Sequence, residues 1–128
     1  MKAKQKPGVV FQPHVHRALQ HGIRKLVSAI RPTLGPLSGG VAIDPLNEAE
    51  TLPEYVDEGA VIARRIIELP DRNEDMGAML LRAMLTRQQE RIGDGTATAA
   101  VLFEAIFDGG LRYIAAGGNA MQLRRTIE

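Results

Sequence analysis

Cysteine is absent from the 128 residues, and with it go disulfides and thiolate metal sites. Tryptophan is absent too, and aromatics make up only 4%, so aliphatic side chains and methionine must fill any core. Charge of one sign is also lacking. Sixteen basic residues stand against 15 acidic ones, for a net charge of +1. Balanced, interspersed charge gives no long-range field to draw DNA, RNA or an anionic membrane. No stretch approaches the roughly 20 apolar residues of a membrane helix. The basic start, Met1-Lys2-Ala3-Lys4, is followed by no apolar run and does not read as a secretory signal. These absences fit a cytoplasmic protein in a reducing compartment, with neither nucleic acid nor membrane as partner.

Hydrophobic residues make up 45% of the chain, enough for the core of one domain, and the length is short for two. Residues 1–12 read as a polar tail or a short edge strand at Val9–Phe11. Pro13 stands where the first turn of a helix tolerates proline. Val15, Leu19, Ile23, Leu26 and Ile30 then recur at helical steps, with His14, Arg17, His21, Arg24, Lys25 and Arg31 mostly off that stripe. Pro32 is the expected stop. Thr33-Leu34-Gly35-Pro36 follows as a tight loop, continued by Ser38-Gly39-Gly40. Val41–Ile43 and Leu52–Val56 are short strand candidates, joined by Asp44–Glu50 as a hairpin loop.

The spacing predicts a second helix from Gly59 through Ile62, Ile66 and Leu69, stopped by Pro70. Asp71 is the expected N-cap of a third, with Glu74 in the capping-box position. Met76, Leu80, Ala83 and Met84 form its expected buried stripe, with Met76, Met79 and Met84 read as core filler. After Gly93-Asp94-Gly95, the segment from Thr96 to Ala116 is apolar nearly all round and reads as a buried helix. Its polar stripe is Glu104, Asp108 and Arg112. Gly109-Gly110 inside it costs roughly 1–2 kcal/mol relative to alanine, which close packing or a kink would explain. Gly117-Gly118 end that helix and Asn119 caps another. No stop signal precedes Glu128, so the sequence reads as cut, or evolved, from something longer.

Two loops could carry chemistry. In Gly93-Asp94-Gly95-Thr96-Ala97-Thr98 the glycines let an anion approach the backbone. The amides and dipole of a helix N-terminus favour phosphate there. Thr96 and Thr98 can cap the helix or donate hydroxyls. Asp94 would repel phosphate directly, but it suits a Mg²⁺ ion that bridges carboxylate and phosphate oxygens. The same residues also spell an ordinary turn before a Thr-capped helix. No lysine follows the second glycine, so this is not a Walker loop. Thr33–Pro36 alone spells a helix-ending turn. His14 and His16, two residues apart on a helix, do not make a metal pair. Arg64-Arg65 and Arg124-Arg125 read as solvated faces.

The order of these parts is more specific than any one of them. A helix, Thr-Leu-Gly-Pro, a small hairpin, Asp57-Glu58-Gly59, Asn73-Glu74-Asp75-Met76-Gly77-Ala78, then Gly93–Ala99 and Ala115 through Arg125 follow one another. In this the chain resembles the bacterial group I chaperonin family, from about Phe11 to Glu128. The resemblance implies a mostly α fold: a helical-bundle fragment with a small β hairpin, residues 1–128 being the N-terminal half of an equatorial, nucleotide-binding domain. It implies an ATP-binding module of a ring assembly that assists protein folding. Carried over, Thr33, Leu34, Gly35 and Pro36 would line ATP and a K⁺ ion. Asp94 would hold Mg²⁺. Gly95, Thr96, Ala97 and Thr98 would cradle the phosphates.

The chain departs from the family pattern at several of these positions. Asp57-Glu58-Gly59 stands where the family has Lys-Asp-Gly. Ala97 replaces the middle threonine of a triplet, and Leu37-Ser38-Gly39 replaces Lys-Gly-Arg. The family's main catalytic aspartate and its apical and intermediate domains lie beyond residue 128, which leaves Glu58 as the candidate to position water. Such a chain is expected to show no appreciable ATPase activity by itself. It is expected to associate with itself, with full-length subunits in a homo-oligomeric ring, or with another partner, and to reach unfolded clients only through the missing apical domain. A truncated or diverged assembly module without ATPase activity is the alternative.

Overall fold

The computed structural model describes residue 9 and residues 11–37, 39–44 and 52–128. Its elements run α1 (His14–Ile30), a 3₁₀ turn (Arg31–Thr33), β1 (Val41–Ile43), β2 (Glu54–Val56), α2 (Gly59–Arg65), α3 (Arg72–Arg91), α4 (Thr96–Ala115) and α5 (Ala120–Ile127). The chain is mostly helical, with one antiparallel hairpin that pairs Val41 with Val56, Ala42 with Tyr55 and Ile43 with Glu54. The second strand is shorter than the expected Leu52–Val56, and residues 45–50 of the expected loop lie outside the described residues. Val9 and Phe11 are exposed and in no strand; Val10, the middle of that expected edge strand, is outside the described residues, as is Ser38.

The pairing of α1 with α3 forms the centre of the bundle. Ile23, Leu26, Val27 and Ile30 of α1 are buried against Ala78, Leu81 and Leu85 of α3, with Ile62 and Ala63 of α2 and Ala100 of α4 completing the core. Two glycines set how closely the pair approaches. A β-carbon at Gly22 would overlap the carbonyl oxygen of Glu74, and one at Gly77 would overlap that of Leu19. Backbone meets backbone at this crossing, which only glycine permits.

That close approach explains a correction to the expected stripe on α3. The buried residues are Gly77, Ala78, Leu81 and Leu85. Leu80 and Met79 are about half exposed, and Met76 and Met84 are only partly buried. The true contact combines the small Gly77 and Ala78 with Leu81 and Leu85, one position round the helix from the expected Leu80 and Met84. Asp71 caps α3 as expected, its carboxylate accepting from the amides of Asn73 and Glu74. Glu74 does not complete a capping box; its carboxylate pairs with Lys25 and His21 of α1.

Helix α2 is shorter than its apolar spacing implied. It ends at Arg65, and the chain turns away at Ile66 with ψ near 80°. Ile66 and Leu69 still pack on the core, but from an extended segment. The first helix does not stop dead at Pro32 either. The α-helical part ends at Ile30 and a 3₁₀ turn carries through Pro32 to Thr33, since proline is tolerated early in such a turn.

Helix α4 has the composition of a buried helix but is not wrapped on all sides in this chain. Only Thr96 and Ala100 are buried, while Leu102, Ile106, Tyr113 and Ile114 are exposed. Two residues of the polar stripe, Glu104 and Asp108, point inward, toward α1 and the turn after it, while Arg112 is exposed. Arg31 donates to Glu104 at 2.7 Å, and Arg24 and Gln20 donate to Asp108 at 2.6 and 2.8 Å. Gly109 and Gly110 produce neither a break nor a tight crossing. The helix continues to Ala115, and a β-carbon at Gly109 would meet nothing within 4 Å. Gly117, at φ 91°, ends the helix region, and the Asn119 carboxamide caps α5 through the amides of Met121 and Gln122.

Among the described residues no helix is long and apolar enough to cross a membrane.

Candidate functional site

Three chain segments meet where the N-terminus of α4 passes the end of α1 and the start of α2. The 3₁₀ turn delivers the first. Arg31 carbonyl accepts the Leu34 amide at 3.1 Å, and the Thr33 hydroxyl donates to the Ile30 carbonyl at 2.8 Å. Gly35, at φ 105°, turns the chain outward in a conformation that favours glycine. The second segment leaves the hairpin at Val56 and enters α2 through Asp57 and Glu58. Gly59 presses on α4 there. A β-carbon at this position would stand 3.2 Å from both the Thr96 hydroxyl oxygen and the Ala97 amide nitrogen, and 2.9 Å from Ile30 Cγ2. The third is the corner between α3 and α4, where Gly93 (φ 78°) and Gly95 (φ 73°) flank Asp94 in left-handed geometry.

Together they enclose a cleft of about 250 Å³ lined by Thr33, Leu34, Gly35, Asp57, Glu58, Gly59, Asp94, Gly95, Thr96, Ala97 and Thr98. Nine residues singled out in the sequence are thus gathered in one place: Thr33, Leu34, Gly35, Glu58, Asp94, Gly95, Thr96, Ala97 and Thr98. Pro36 is the exception; it is exposed and does not line the cleft.

The wall formed by α4 offers backbone amides. Gly95 is the N-cap residue, and no side chain caps the helix. The expectation that Thr96 or Thr98 would cap it is therefore corrected; Thr96 is buried against Gly59 instead, and Thr98 is exposed. The amides of a first turn left without side-chain partners carry partial positive charge and attract anions. The side chains facing them have the opposite character. Asp57, Glu58 and Asp94 all line the cleft, and among the described residues no lysine, arginine or histidine does. Among the described residues, no three His, Asp or Glu side chains come close enough together to hold a metal ion by themselves.

Asp94 is only partly engaged. One carboxylate oxygen, Oδ1, accepts its neighbour's Gly95 amide at 2.6 Å, a local contact that shapes the corner and leaves Oδ2 for a cation. Behind the corner, Gln88 of α3 donates its carboxamide N–H to the Asp94 carbonyl at 3.2 Å. The loop after α1 is linked to α4 by the Arg31–Glu104 pair, two turns along the helix from the cleft. On the hairpin side, the Gly40 amide donates to the Tyr55 hydroxyl at 2.8 Å, with the Tyr55 ring covering Gly40. Sequence reasoning found neither Gln88 nor Tyr55 as a support, because each contact depends on where a second segment ends.

The donor set fits a cation-bridged anion better than a bare one. Amides without a cap would receive phosphate oxygens, while three carboxylates repel the same charge unless a divalent ion stands between them.

No protein-family profile matches the chain. Solved structures do. A group III chaperonin in the open state is similar over 84% of this chain and 20% of its own, with a TM-score of 0.66 and 21% identity. The chaperonin gp146 from the bacteriophage EL 2 (Pseudomonas aeruginosa), crystallised in the presence of ATP-BeFx, is similar over 90% of this chain and 19% of its own, with a TM-score of 0.68 and 20% identity. At such identities the likeness is one of fold. The 128 residues adopt a chaperonin-like fold and span about one fifth of each of these two chains.

Proposed function

We propose that the cleft binds ATP as its magnesium complex, and that the chain is the ATP-binding part of a chaperonin-type ring that assists protein folding in the cytoplasm. The observation that carries this reading is the convergence of Thr33–Gly35 and Asp94–Thr98 on one cleft of a chaperonin-like fold. Asp94 would hold Mg²⁺ through Oδ2, with phosphate oxygens and water filling the remaining positions. Gly95, Thr96, Ala97 and Thr98 would receive the phosphates. Thr33, Leu34 and Gly35 would face the nucleotide from the opposite wall, where the Thr33 and Leu34 carbonyls could also serve a K⁺ ion. The motif order resembles the group I branch, and the phage neighbour was crystallised in the presence of ATP-BeFx, which fits the same chemistry.

Bound Mg²⁺ would supply charge neutralisation for the phosphates. The chain itself contributes the amide-lined wall and the carboxylate that fixes the ion. Glu58 is its one candidate for orienting water, and phosphoryl transfer needs that role as well as metal and cradle. We therefore read these residues as a binding module with no appreciable turnover of its own. Titration with ATP, with Mg²⁺ present and then removed by a chelator, tests the reading. Binding should need the metal. Binding of equal strength without it, or none in either condition, contradicts the proposal.

A second reading is favoured by the exposed side of α4. Leu102 and Ile106 are each 56% exposed, one turn apart, and an uncovered apolar face of this kind marks an association surface. In that reading the chain is an assembly module that has lost catalysis, and Asp57 and Ala97 record the loss. Light scattering separates the two. Oligomers of this chain that form identically with and without nucleotide favour the second reading, and a strictly monomeric chain removes it.

A further inference from the structure

Asp94 sits on a corner that is open on the Gly93 side. Both neighbours are glycines at positive φ, and a β-carbon at Gly93 would meet nothing within 4 Å, so no close packing holds the corner there. Among the described residues, Asp94 itself takes part in two hydrogen bonds. One is the carboxylate's own bond to the Gly95 amide, and the other is the bond from Gln88 Nε2 to the Asp94 carbonyl. The first is made by the same carboxylate that would take the metal. A cation on Asp94 competes with the Gly95 amide for carboxylate electron density and weakens that bond when it is most needed. The second is independent of the carboxylate. It comes from α3, a 20-residue helix anchored in the core through Leu81 and Leu85. Among the described residues, neither Arg87 nor Gln89 makes a hydrogen bond to the corner.

Resting on the nucleotide reading above, we infer that Gln88 is a positioning residue: it fixes the backbone of Asp94 so that the carboxylate meets the metal without a search. A carboxylate on a loosened corner would still bind the cation, but part of the binding energy would go into ordering the loop. The consequence falls on the metal-dependent part of nucleotide binding and not on the affinity of the amide wall for phosphate.

The test compares the parent chain with Gln88→Met, which keeps length and shape and removes the donor, and with Arg87→Met as a control on the same exposed side of α3. Each is titrated with ATP in magnesium and in chelator, and each is melted thermally. Gln88→Met should weaken Mg-ATP binding about fivefold, the worth of one hydrogen bond. Its weak metal-free binding and its Tm should match the parent's, and Arg87→Met should match the parent throughout. Equal Mg-ATP affinity in Gln88→Met and parent overturns the inference while leaving the nucleotide reading intact. So does an equal loss with and without metal, or an equal loss in Arg87→Met. A parent chain that binds no Mg-ATP overturns the reading of the cleft itself. Gln88→Glu, which also lacks the donor at that position, serves if the methionine variant does not fold.

Discussion

Gly59 lies against Thr96 so closely that a β-carbon there would stand 3.2 Å from the threonine hydroxyl oxygen. This contact joins the entry of α2 to the entry of α4 and brings Asp57 and Glu58 to the cleft. The amide nitrogen of Ala97, which also lines the cleft, is at the same 3.2 Å from that absent β-carbon. Stability and access to the cleft thus share one missing methyl group.

Gly59→Ala should cost roughly 1–3 kcal/mol of stability, the usual range for overpacking, because Ile30, Thr96 and Ala97 must all give way. It should also weaken Mg-ATP binding. Urea unfolding and a nucleotide titration check the two effects. A variant as stable as the parent would show that α2 and α4 can part without loss.

Gly22 and Gly109 give opposite expectations for the same substitution. Gly22→Ala drives a β-carbon into the Glu74 carbonyl and must separate α1 from α3, so a loss of about 3 kcal/mol or more is expected. Gly109→Ala meets nothing within 4 Å in the middle of α4 and should stabilise by about 0.5–1 kcal/mol through helix propensity. Denaturant midpoints of the two variants, read at unchanged slope, should lie on opposite sides of the parent's.

Asp108 gives the stability a pH dependence. Burial pushes its carboxyl up, but hydrogen bonds from Arg24 and Gln20, with the charges of Arg24 and Arg112, outweigh this and hold it below the usual carboxylate range. A carboxyl whose folded value is depressed stabilises above its unfolded value, about 3.9, and loses that contribution as pH falls through the folded value. Asp108→Asn should therefore be less stable than the parent at neutral pH, and the gap should close in acid. Chemical denaturation from pH 7 down to about 3 measures it; a gap that stays constant would mean that the α1–α4 ion pair contributes nothing through Asp108.

Much of this fold was legible because helical spacing survives in the sequence. Val15 to Ile30 marked α1, Asp71 and Asn119 marked their caps, and the two glycine loops marked the cleft. The failures have physical causes. Ile66 and Leu69 were rightly read as apolar and core-facing, but an extended chain can bury them as well as a helix can, so Pro70 appeared to stop a helix that had ended at Arg65. The α3 stripe was misplaced because contact at a close crossing belongs to Gly77 and Ala78, which periodicity weights least. The inward placement of Glu104 and Asp108 on α4 required their partners, Arg31 and Arg24, which lie more than 70 residues away in sequence. Within the cleft, residue type suggested the loops, whereas Gln88 and the pressure of Gly59 became visible only through tertiary placement.

Calorimetric titration of Mg-ATP into the parent chain and into Asp94→Ala addresses the central claim most directly. Asp94 lines the cleft with one carboxylate oxygen left for a metal, and hydrogen bonds and ion contacts of a charged group are worth about 1.5–3 kcal/mol. The account predicts that the parent binds and that Asp94→Ala loses at least about tenfold in affinity, together with its dependence on magnesium. An alanine variant that binds Mg-ATP as tightly as the parent would contradict it.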